Sequence, residues 1–222
     1  MIVDTGQAGD ALVQRISNSG RSPEEYGEDA YALLQEIFRG YSISRLKALL
    51  SSENIPTAEA GIWVLSELGS KAAPLLGDIA PLLRSPSRKV RYWAIDVVHS
   101  SAGPDDGDLI GKALSLLDDD DPAVRRAVIF FLSRISDAQL SAAIDRLGEG
   151  RLTRLLGWFR RVIGGGFESE ILERLQDEDG LGQRVAVAAA ARIPDRGGPA
   201  LQWAAAEGPD DVSVFASREV GR

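Results

Sequence analysis

Cysteine is missing from the sequence altogether, and histidine occurs only once, at His99. Without cysteine the chain can form no disulfide and offers no thiol nucleophile. Cysteine usage therefore does not distinguish an oxidising from a reducing compartment. A single histidine excludes a metal site that needs several imidazole ligands. No run of about 18 consecutive apolar residues occurs either, and the sequence therefore predicts no membrane-spanning helix.

The sequence is also poor in positive charge relative to negative charge. Its formal net charge is −8 and its isoelectric point is about 4.8. Such a balance disfavours general binding to nucleic acids or anionic membranes and suits a basic protein partner. The first twelve residues carry Asp4 and Asp10 and have no apolar core, so they do not resemble a secretory signal. We therefore expect a cytoplasmic protein that does not bind membranes.

A segment of similar pattern recurs along most of the chain. An apolar residue is followed four positions later by a small or apolar residue, and the stretch then continues with helical periodicity. The copies begin at Thr57, Val90, Val124, Leu152, Gly182 and, in a truncated form, Val212, at spacings of 33, 34, 28, 30 and 30 residues. A regular spacing of this size is typical of repeat proteins.

Each of the first five copies is preceded by an apolar run with helical spacing and then by a polar turn. In the second copy the run contains Leu75, Leu76, Ile79, Leu82 and Leu83, and the turn reads RSPSRK. Serine, proline, aspartate and glycine in such turns end one helix and start the next. Because no segment alternates with a period of two, the sequence predicts an all-α fold of repeated helix pairs.

The stretch LLDDDDPAVRRAVIFFLSRIS, residues 116–136, resembles the HEAT repeat. The resemblance covers roughly residues 41–220 and departs from the pattern where GEGR replaces the acidic turn of the fourth copy and Gly182 replaces valine in the fifth. It implies a right-handed α-solenoid of five to six helix pairs, residues 41–222, behind an N-terminal helical cap, residues 1–40, in a single continuous domain over 1–222. HEAT arrays serve many functions, so the resemblance predicts architecture rather than activity.

The four aspartates of this stretch, Asp118 to Asp121, have a structural interpretation. Asp119 or Asp120 could accept backbone N–H groups at the start of the second helix, where Pro122 fits the first turn. Arg125 could reach back to a turn aspartate. A metal site would need several oxygens converging on one ion, whereas a run of aspartates that opens a helix points in divergent directions. We predict that this turn binds no metal.

The second helix of each copy offers a core face and a second face. Positions one, five, nine and twelve are predicted to form core, among them Val90, Val124, Leu152, Leu156 and Ile163. Positions three, seven and ten lie on another face, and the repeat register would stack these faces into one concave groove. The residues predicted to contact a partner there are Trp63, Tyr92, Asp96, His99, Arg126, Phe130, Arg154, Trp158 and Arg161. The aromatic members could equally pack between repeats as core.

No catalytic or cofactor motif is visible. There is no GxSxG elbow, no dinucleotide fingerprint and no zinc spacing, so we expect no catalytic residues, no cofactor and no metal. The favoured function is a non-enzymatic protein-binding module. A small acidic HEAT-like protein resembles bacterial immunity proteins, and this resemblance implies a basic toxin as partner.

Two other functions stay open. HEAT-like DNA glycosylases that act on alkylated bases are similar in length, and they place an aromatic residue one turn from an aspartate. Tyr92 and Asp96, with Trp158 and Arg126 or Arg154, resemble that arrangement, although the net charge argues against DNA binding. The third is a scaffold or lyase-type subunit that acts on a modified polypeptide. No particular residue indicates this last function.

Overall fold

The computed structural model describes residues 5–18, 20, 22–165, 168–193 and 198–221. Residues 1–4 of the predicted N-terminal cap lie outside these ranges. Within them every regular element is an α-helix or a 3₁₀ helix, and no strand occurs. The predicted all-α fold is therefore confirmed. No single helix in this part of the chain is long and apolar enough to cross a bilayer, and the one pair that qualifies jointly, Pro122–Arg134 with Asp137–Arg146, is bent by 120°.

The chain divides into two compact units, residues 1–102 and 103–222. In the first unit the α-helices are α1 Thr5–Ser17, α2 Pro23–Phe38, α3 Lys47–Leu50, α4 Ile55–Ser66 and α5 Arg88–Ser101. In the second they are α6 Gly107–Leu114, α7 Pro122–Arg134, α8 Asp137–Arg146, α9 Arg151–Gly165, α10 Glu168–Gln176, α11 Gly180–Arg192, α12 Gly198–Glu207 and α13 Asp210–Val220. One continuous domain over 1–222 stays a prediction.

The turns start the second helices by side-chain capping, as the repeat register predicts. In four copies a polar side chain accepts a hydrogen bond from the backbone N–H of position one, three residues later. The pairs are Asn54 with Thr57, Ser87 with Val90, Asp121 with Val124, and Asp179 with Gly182. Each bond satisfies an N–H that the helix itself leaves without a partner. The same capping hydrogen bond therefore occurs at the same position of the repeat in both units.

Position two of the copies makes a second recurring contact. Its side chain donates to carbonyl oxygens of the preceding turn or helix end, although the residue type changes from copy to copy. Arg91 donates to Ser85 and Pro86, Arg125 to Asp119 and Asp120, Thr153 to Gly148, Gln183 to Leu175 and Asp177, and Ser213 to Ala205. Carbonyls at helix ends otherwise lack an intrahelical partner, so this contact locks each turn onto the helix that follows it.

The first unit begins with the two predicted cap helices. Their facing side chains, Leu12, Ile16 and Leu33, are buried, and α2 packs against both α1 and α4. The buried hydroxyl of Thr57 on α4 donates to the carbonyl oxygen of Ile16 at 2.9 Å. The two helices thus cover α4, the first repeat helix, as a terminal cap should.

One predicted helix of the first unit is wrong. The apolar run before the second copy forms two 3₁₀ segments, Gly69–Asp78 and Leu82–Arg84, and not an α-helix. Pro74 lies inside the first segment and has no N–H to give to an α-helical ladder. Leu75, Ile79 and Leu83 are nevertheless buried, so the segment keeps the packing role of the missing helix.

In the second unit the second helices do not stack in simple sequence order. Helix α7 packs against α11 and α13, whereas α9 packs against α8, α10 and α11. The sequence interpretation placed the helix of copy three directly beside that of copy four. In the structure α7, the second helix of copy three, instead packs against the second helices of copies five and six. The predicted single row of helix faces is therefore not formed in this unit.

The predicted core positions hold in the second and third copies but are shifted in the fourth. Val90, Val124 and Leu156 are fully buried, whereas Leu152 and Ile163 are only partly buried. In α9 the buried side chains are Leu155, Leu156, Phe159 and Val162. The GEGR turn contains no Ser, Thr, Asn or Asp of the kind that caps the helices of the other copies. Nothing in the sequence therefore marks the helix start there, and the assumed register was wrong.

Candidate functional site

A cleft in the first unit brings three aromatic side chains together. It opens between α2, α4 and α5 and has a cavity volume of about 220 Å³. Its lining residues are Pro23, Tyr26, Gly27, Ala30, Pro56, Glu59, Ala60, Trp63, Lys89 and Trp93. The walls are therefore mainly apolar, with one acidic and one basic side chain. A volume of this size is below the roughly 300–1,000 Å³ usual for small-molecule pockets, which favours contact with part of a larger partner.

Trp63 and Trp93 are the two large rings of this cleft, and both are partly exposed. Trp63 occupies position seven of the first copy, one of the positions predicted to face a partner. No hydrogen-bond acceptor for either indole N–H occurs among the residues that the structure describes. Neither indole nitrogen is a buried unpaired atom in the described part of the chain, so both N–H groups are open to solvent.

The polar wall of the cleft is formed by Glu59. One carboxylate oxygen accepts a hydrogen bond from the Ser87 hydroxyl at 2.6 Å, and the other lies 3.4 Å from Nζ of Lys89. The Lys89 side chain is 57% exposed, so this ion pair adds little to stability. Both Glu59 oxygens nevertheless contact residues at the start of α5, namely its N-cap Ser87 and Lys89, and these contacts hold the carboxylate at the rim of the cleft.

The other predicted residues of the first unit lie on α5 but do not line the cleft. Tyr92 is 43% exposed, Asp96 is exposed, and His99 is partly exposed. Partial desolvation raises the pKa of the Asp96 carboxyl, and the negative charge of Glu67 raises it further. This face of α5 therefore carries an exposed aromatic ring, Tyr92, and a carboxylate, Asp96, that is affected by the negative charge of Glu67.

In the second unit the predicted aromatics are each covered by an arginine. The Arg134 guanidinium lies 3.8 Å from the centre of the Phe130 ring, and that of Arg174 lies 4.6 Å from the centre of the Trp158 ring. Trp158 also lines a shallow acidic depression with Glu170, Glu173, Arg174 and Asp177. It thus faces α10, whereas Phe130 lies on α7, which packs against other helices.

The predicted arginines of the second unit fall into two groups. Arg161 is engaged, because its guanidinium donates to both carboxylate oxygens of Glu170, which lowers the pKa of that carboxyl. Arg126 and Arg154 make no ion pair with any residue that the structure describes. Of the three arginines predicted to contact a partner, Arg126 and Arg154 are therefore the two whose charge is not already paired with a described carboxylate.

Three of the four aspartate side chains of residues 118–121 have separate structural roles, and Asp120 contributes its backbone carbonyl. Asp121, and not Asp119 or Asp120, is the helix cap: it accepts from the N–H groups of Ala123 and Val124. Asp119 accepts from the backbone N–H of Asp121, and Asp118 pairs with Arg184 at 3.0 Å. Pro122 occupies the first helical turn as predicted. Across the described parts of the chain, no group of three or more acidic or histidine side chains is arranged to hold a metal ion.

Arg125 reaches further than the turn. Its Nε donates to the Asp211 carboxylate at 2.5 Å, and Nε of Arg184 donates to the same oxygen at 2.7 Å. Asp211 is only 1% exposed. Burial by itself would raise the pKa of this carboxyl, but the hydrogen bonds and charges of the two arginines outweigh it and lower the pKa. The network joins α7, α11 and α13 by charge.

Sequence reasoning missed Trp93, Tyr26 and the two prolines of the cleft. Trp93 stands at position four of its copy, next to the selected position three, and Tyr26 and Pro23 belong to the cap outside the repeat. The spacing of Lys89 and Trp93, four residues apart on one helix face, was the available signal. The cap contribution had no signal, since it arises from the packing of α2 on α4.

Comparison with known proteins supports this architecture. Residues 78–155 match the family model for HEAT repeats. A HEAT-like repeat protein of the archaeon Thermococcus onnurineus NA1 is 13% identical, with a TM-score of 0.51, and the match covers 96% of this chain and 95% of that one. A designed armadillo repeat protein in complex with the peptide (KR)4 is 16% identical, with a TM-score of 0.51 and 99% coverage of both chains. At such identities the likeness shows the fold alone: an all-α repeat fold of the HEAT and armadillo kind.

The comparison with curated proteins gave no match.

Proposed function

We propose that this HEAT-like chain is a non-enzymatic protein-binding module whose main contact is the cleft around Trp63 and Trp93. The observation that carries the proposal is the placement of two partly exposed tryptophans in one cleft, with no acceptor for either indole N–H among the residues that the structure describes. Tryptophan is the residue type most enriched at binding hot spots, because it combines a large apolar surface with one directional donor.

The partner is expected to be basic. The net charge of −8 would attract a positively charged protein and raise its association rate. The structurally similar armadillo protein holds a peptide of lysine and arginine, which is consistent with this choice for a fold of this kind. In its most specific form, the proposal is that this protein is an immunity protein that neutralises a basic toxin.

The remaining predicted residues would act as secondary contacts. Arg126 and Arg154 carry unpaired charge, and Tyr92 exposes a large ring, so these three are the strongest of the group. Phe130, Trp158 and Arg161 already contact Arg134, Arg174 and Glu170 and would contribute less. The glycosylase alternative rests on Tyr92 and Asp96, and no contact of these residues favours it.

A capture experiment with matched variants tests the proposal. The immobilised chain would capture partners from the cells that express it, and the captured protein would then be titrated against wild type and variants. The double variant Trp63→Ala with Trp93→Ala should weaken the affinity by at least tenfold, about 1.4 kcal/mol. Trp203→Ala is the control, because Trp203 is equally half-buried but lies on α12 of the other unit.

Thermal unfolding of each variant separates lost contact from lost structure. A partner that binds the folded double variant as tightly as wild type would contradict the proposal. If the partner is basic, its association rate should also fall as the salt concentration rises, because added ions screen the attraction.

A further inference from the structure

Helices α4 and α5 of the first unit run parallel, and two contacts fix how they are aligned. Near their starts, Nζ of Lys89 lies 3.4 Å from a carboxylate oxygen of Glu59. Near their ends, the hydroxyl of Ser101 donates to the carbonyl oxygen of Gly69 at 2.8 Å. The two pairs are 30 and 32 residues apart in the sequence. Residues with a similar spacing therefore lie opposite each other along the surface between the two helices, which we call the α4–α5 groove.

The α4–α5 groove has three successive levels, one helical turn apart. They are Glu59 with Lys89, Trp63 with Trp93, and Glu67 with Asp96. The first level is an ion pair whose charges cancel, and the second is the aromatic part of the cleft. The charge of the groove is therefore concentrated at the third level, where two carboxylates lie opposite each other.

The two carboxylates of the third level have no cation to compensate them. Glu67 and Asp96 are both exposed, and neither side chain forms an ion pair or a hydrogen bond with any residue that the structure describes. Lys71, four residues after Glu67, lies instead over the Phe38 ring, with Nζ 5.4 Å from the ring centre. Helix α4 ends at Ser66, so the negative end of its dipole adds to the same potential. The effect is already felt within the protein, since the charge of Glu67 helps to raise the pKa of Asp96.

We infer that a basic side chain of the partner protein, arginine or lysine, binds between Glu67 and Asp96 while an apolar residue near it in the partner's chain enters the tryptophan-lined cleft. A cation at this position replaces one repulsion by two attractions, whereas an acidic side chain adds repulsion and a neutral one changes nothing. The apolar stem of the basic side chain packs on the neighbouring rings while its charged end reaches the carboxylates. The inference rests on the proposed function, because it names the groups of the partner that bind in the same groove.

Fluorescence anisotropy with three labelled peptides tests the inference. Each peptide has the sequence Leu-Gly-X-Gly written twice, with blocked ends, and X is arginine, glutamine or glutamate. The salt concentration is held at about 0.1 M, where charges more than about 10 Å apart are largely screened. The arginine peptide should bind wild type about fivefold more tightly than the glutamine peptide, or better, and the glutamate peptide should bind most weakly.

Two double variants separate this site from the general negative charge of the chain. Glu67→Gln with Asp96→Asn should weaken binding of the arginine peptide by about fivefold or more and leave the glutamine peptide nearly unchanged. Glu28→Gln with Glu53→Gln removes the same number of negative charges from exposed positions that do not line the cleft. This control should change the affinity for the arginine peptide by less than about twofold. All four side chains are exposed, and thermal unfolding verifies that both variants are folded.

Three results overturn the inference. One is equal affinity of wild type for the arginine and glutamine peptides, and another is the absence of detectable binding of the arginine peptide. The third is an equal loss of affinity in the two double variants, because it would indicate attraction by net charge alone.

The captured partner separates the inference from the proposed function. If the double tryptophan variant loses affinity for the partner while Glu67→Gln with Asp96→Asn binds it as tightly as wild type, the inference fails and the protein-binding function stands. If the partner binds both variants as tightly as wild type, both fail.

Discussion

The Asp211 carboxylate accepts a hydrogen bond from Nε of Arg125 at 2.5 Å, although 86 residues separate them in the chain. Arg184 donates to the same oxygen, and the side chains of the two arginines are only 16% and 13% exposed. The Asp211 carboxylate is thus shared by two poorly hydrated positive charges, of which Arg184 also pairs with Asp118. Removal of a single partner from such a network leaves charge buried without compensation.

We therefore expect Asp211→Asn to lower the free energy of unfolding by about 3–5 kcal/mol, the usual cost of breaking a buried ion pair. The neighbouring Asp210 is exposed, and Asp210→Asn provides the matched control, with an expected change below about 0.5 kcal/mol. Urea unfolding followed by circular dichroism measures both. Equal stabilities for the two variants would show that the network contributes nothing.

The same network predicts a dependence on pH. The pKa of Asp211 in the folded protein lies below the ordinary value of 3.8, so the unfolded chain binds the proton more readily than the folded chain. The stabilisation is then fully present above about pH 5 and is lost as the pH falls below the ordinary value toward the folded pKa. The stability difference between wild type and Asp211→Asn should stay constant from about pH 7 to pH 5 and shrink below about pH 4. A difference that grows on acidification would reverse the sign and contradict this account.

The acidic turn yields a test of capping against metal binding. Asp121→Ala should cost about 1 kcal/mol, because it removes the acceptor for two N–H groups of α7. Asp120→Ala should cost much less, since only the backbone carbonyl of Asp120 takes part in a hydrogen bond here. Calcium, magnesium or manganese at near-millimolar concentration should leave the melting temperature of wild type unchanged. A saturable rise that disappears in Asp121→Ala would instead indicate a metal site.

Adjacent aromatic residues of α9 test the corrected register of the fourth copy. Phe159 is fully buried, and Phe159→Ala should lower the free energy of unfolding by about 3–5 kcal/mol. Trp158 is partly exposed and covered on one face by Arg174, so Trp158→Ala should cost distinctly less despite its larger side chain. Chemical denaturation of the two variants compares them directly. The opposite ranking would contradict the burial of Phe159 and the partial exposure of Trp158 in this helix.

Much of the candidate site was outside the reach of the sequence. The repeat register placed Trp63 on the face predicted to contact a partner, and its side chain is partly exposed and lines the cleft. It assigned Trp158 and Phe130 to one stack, which required each second helix to lie beside the next. Helix α7 packs against α11 and α13 instead, so the two rings face different neighbours. Trp93 was passed over because it stands one position from the chosen face.

The sequence by itself determined the helical class and the polar turns that start the second helices. These features depend on residues within a few positions of one another, such as Asp121 with Val124, and their hydrogen bonds form wherever the local chain is helical. Only the tertiary structure decided that Arg125 meets Asp211 and that the cap brings Tyr26 to Trp63 and Trp93. The physical reason is that helical periodicity shows which face of a helix is buried but not which helix covers it. That choice depends on how side chains of distant segments fit together.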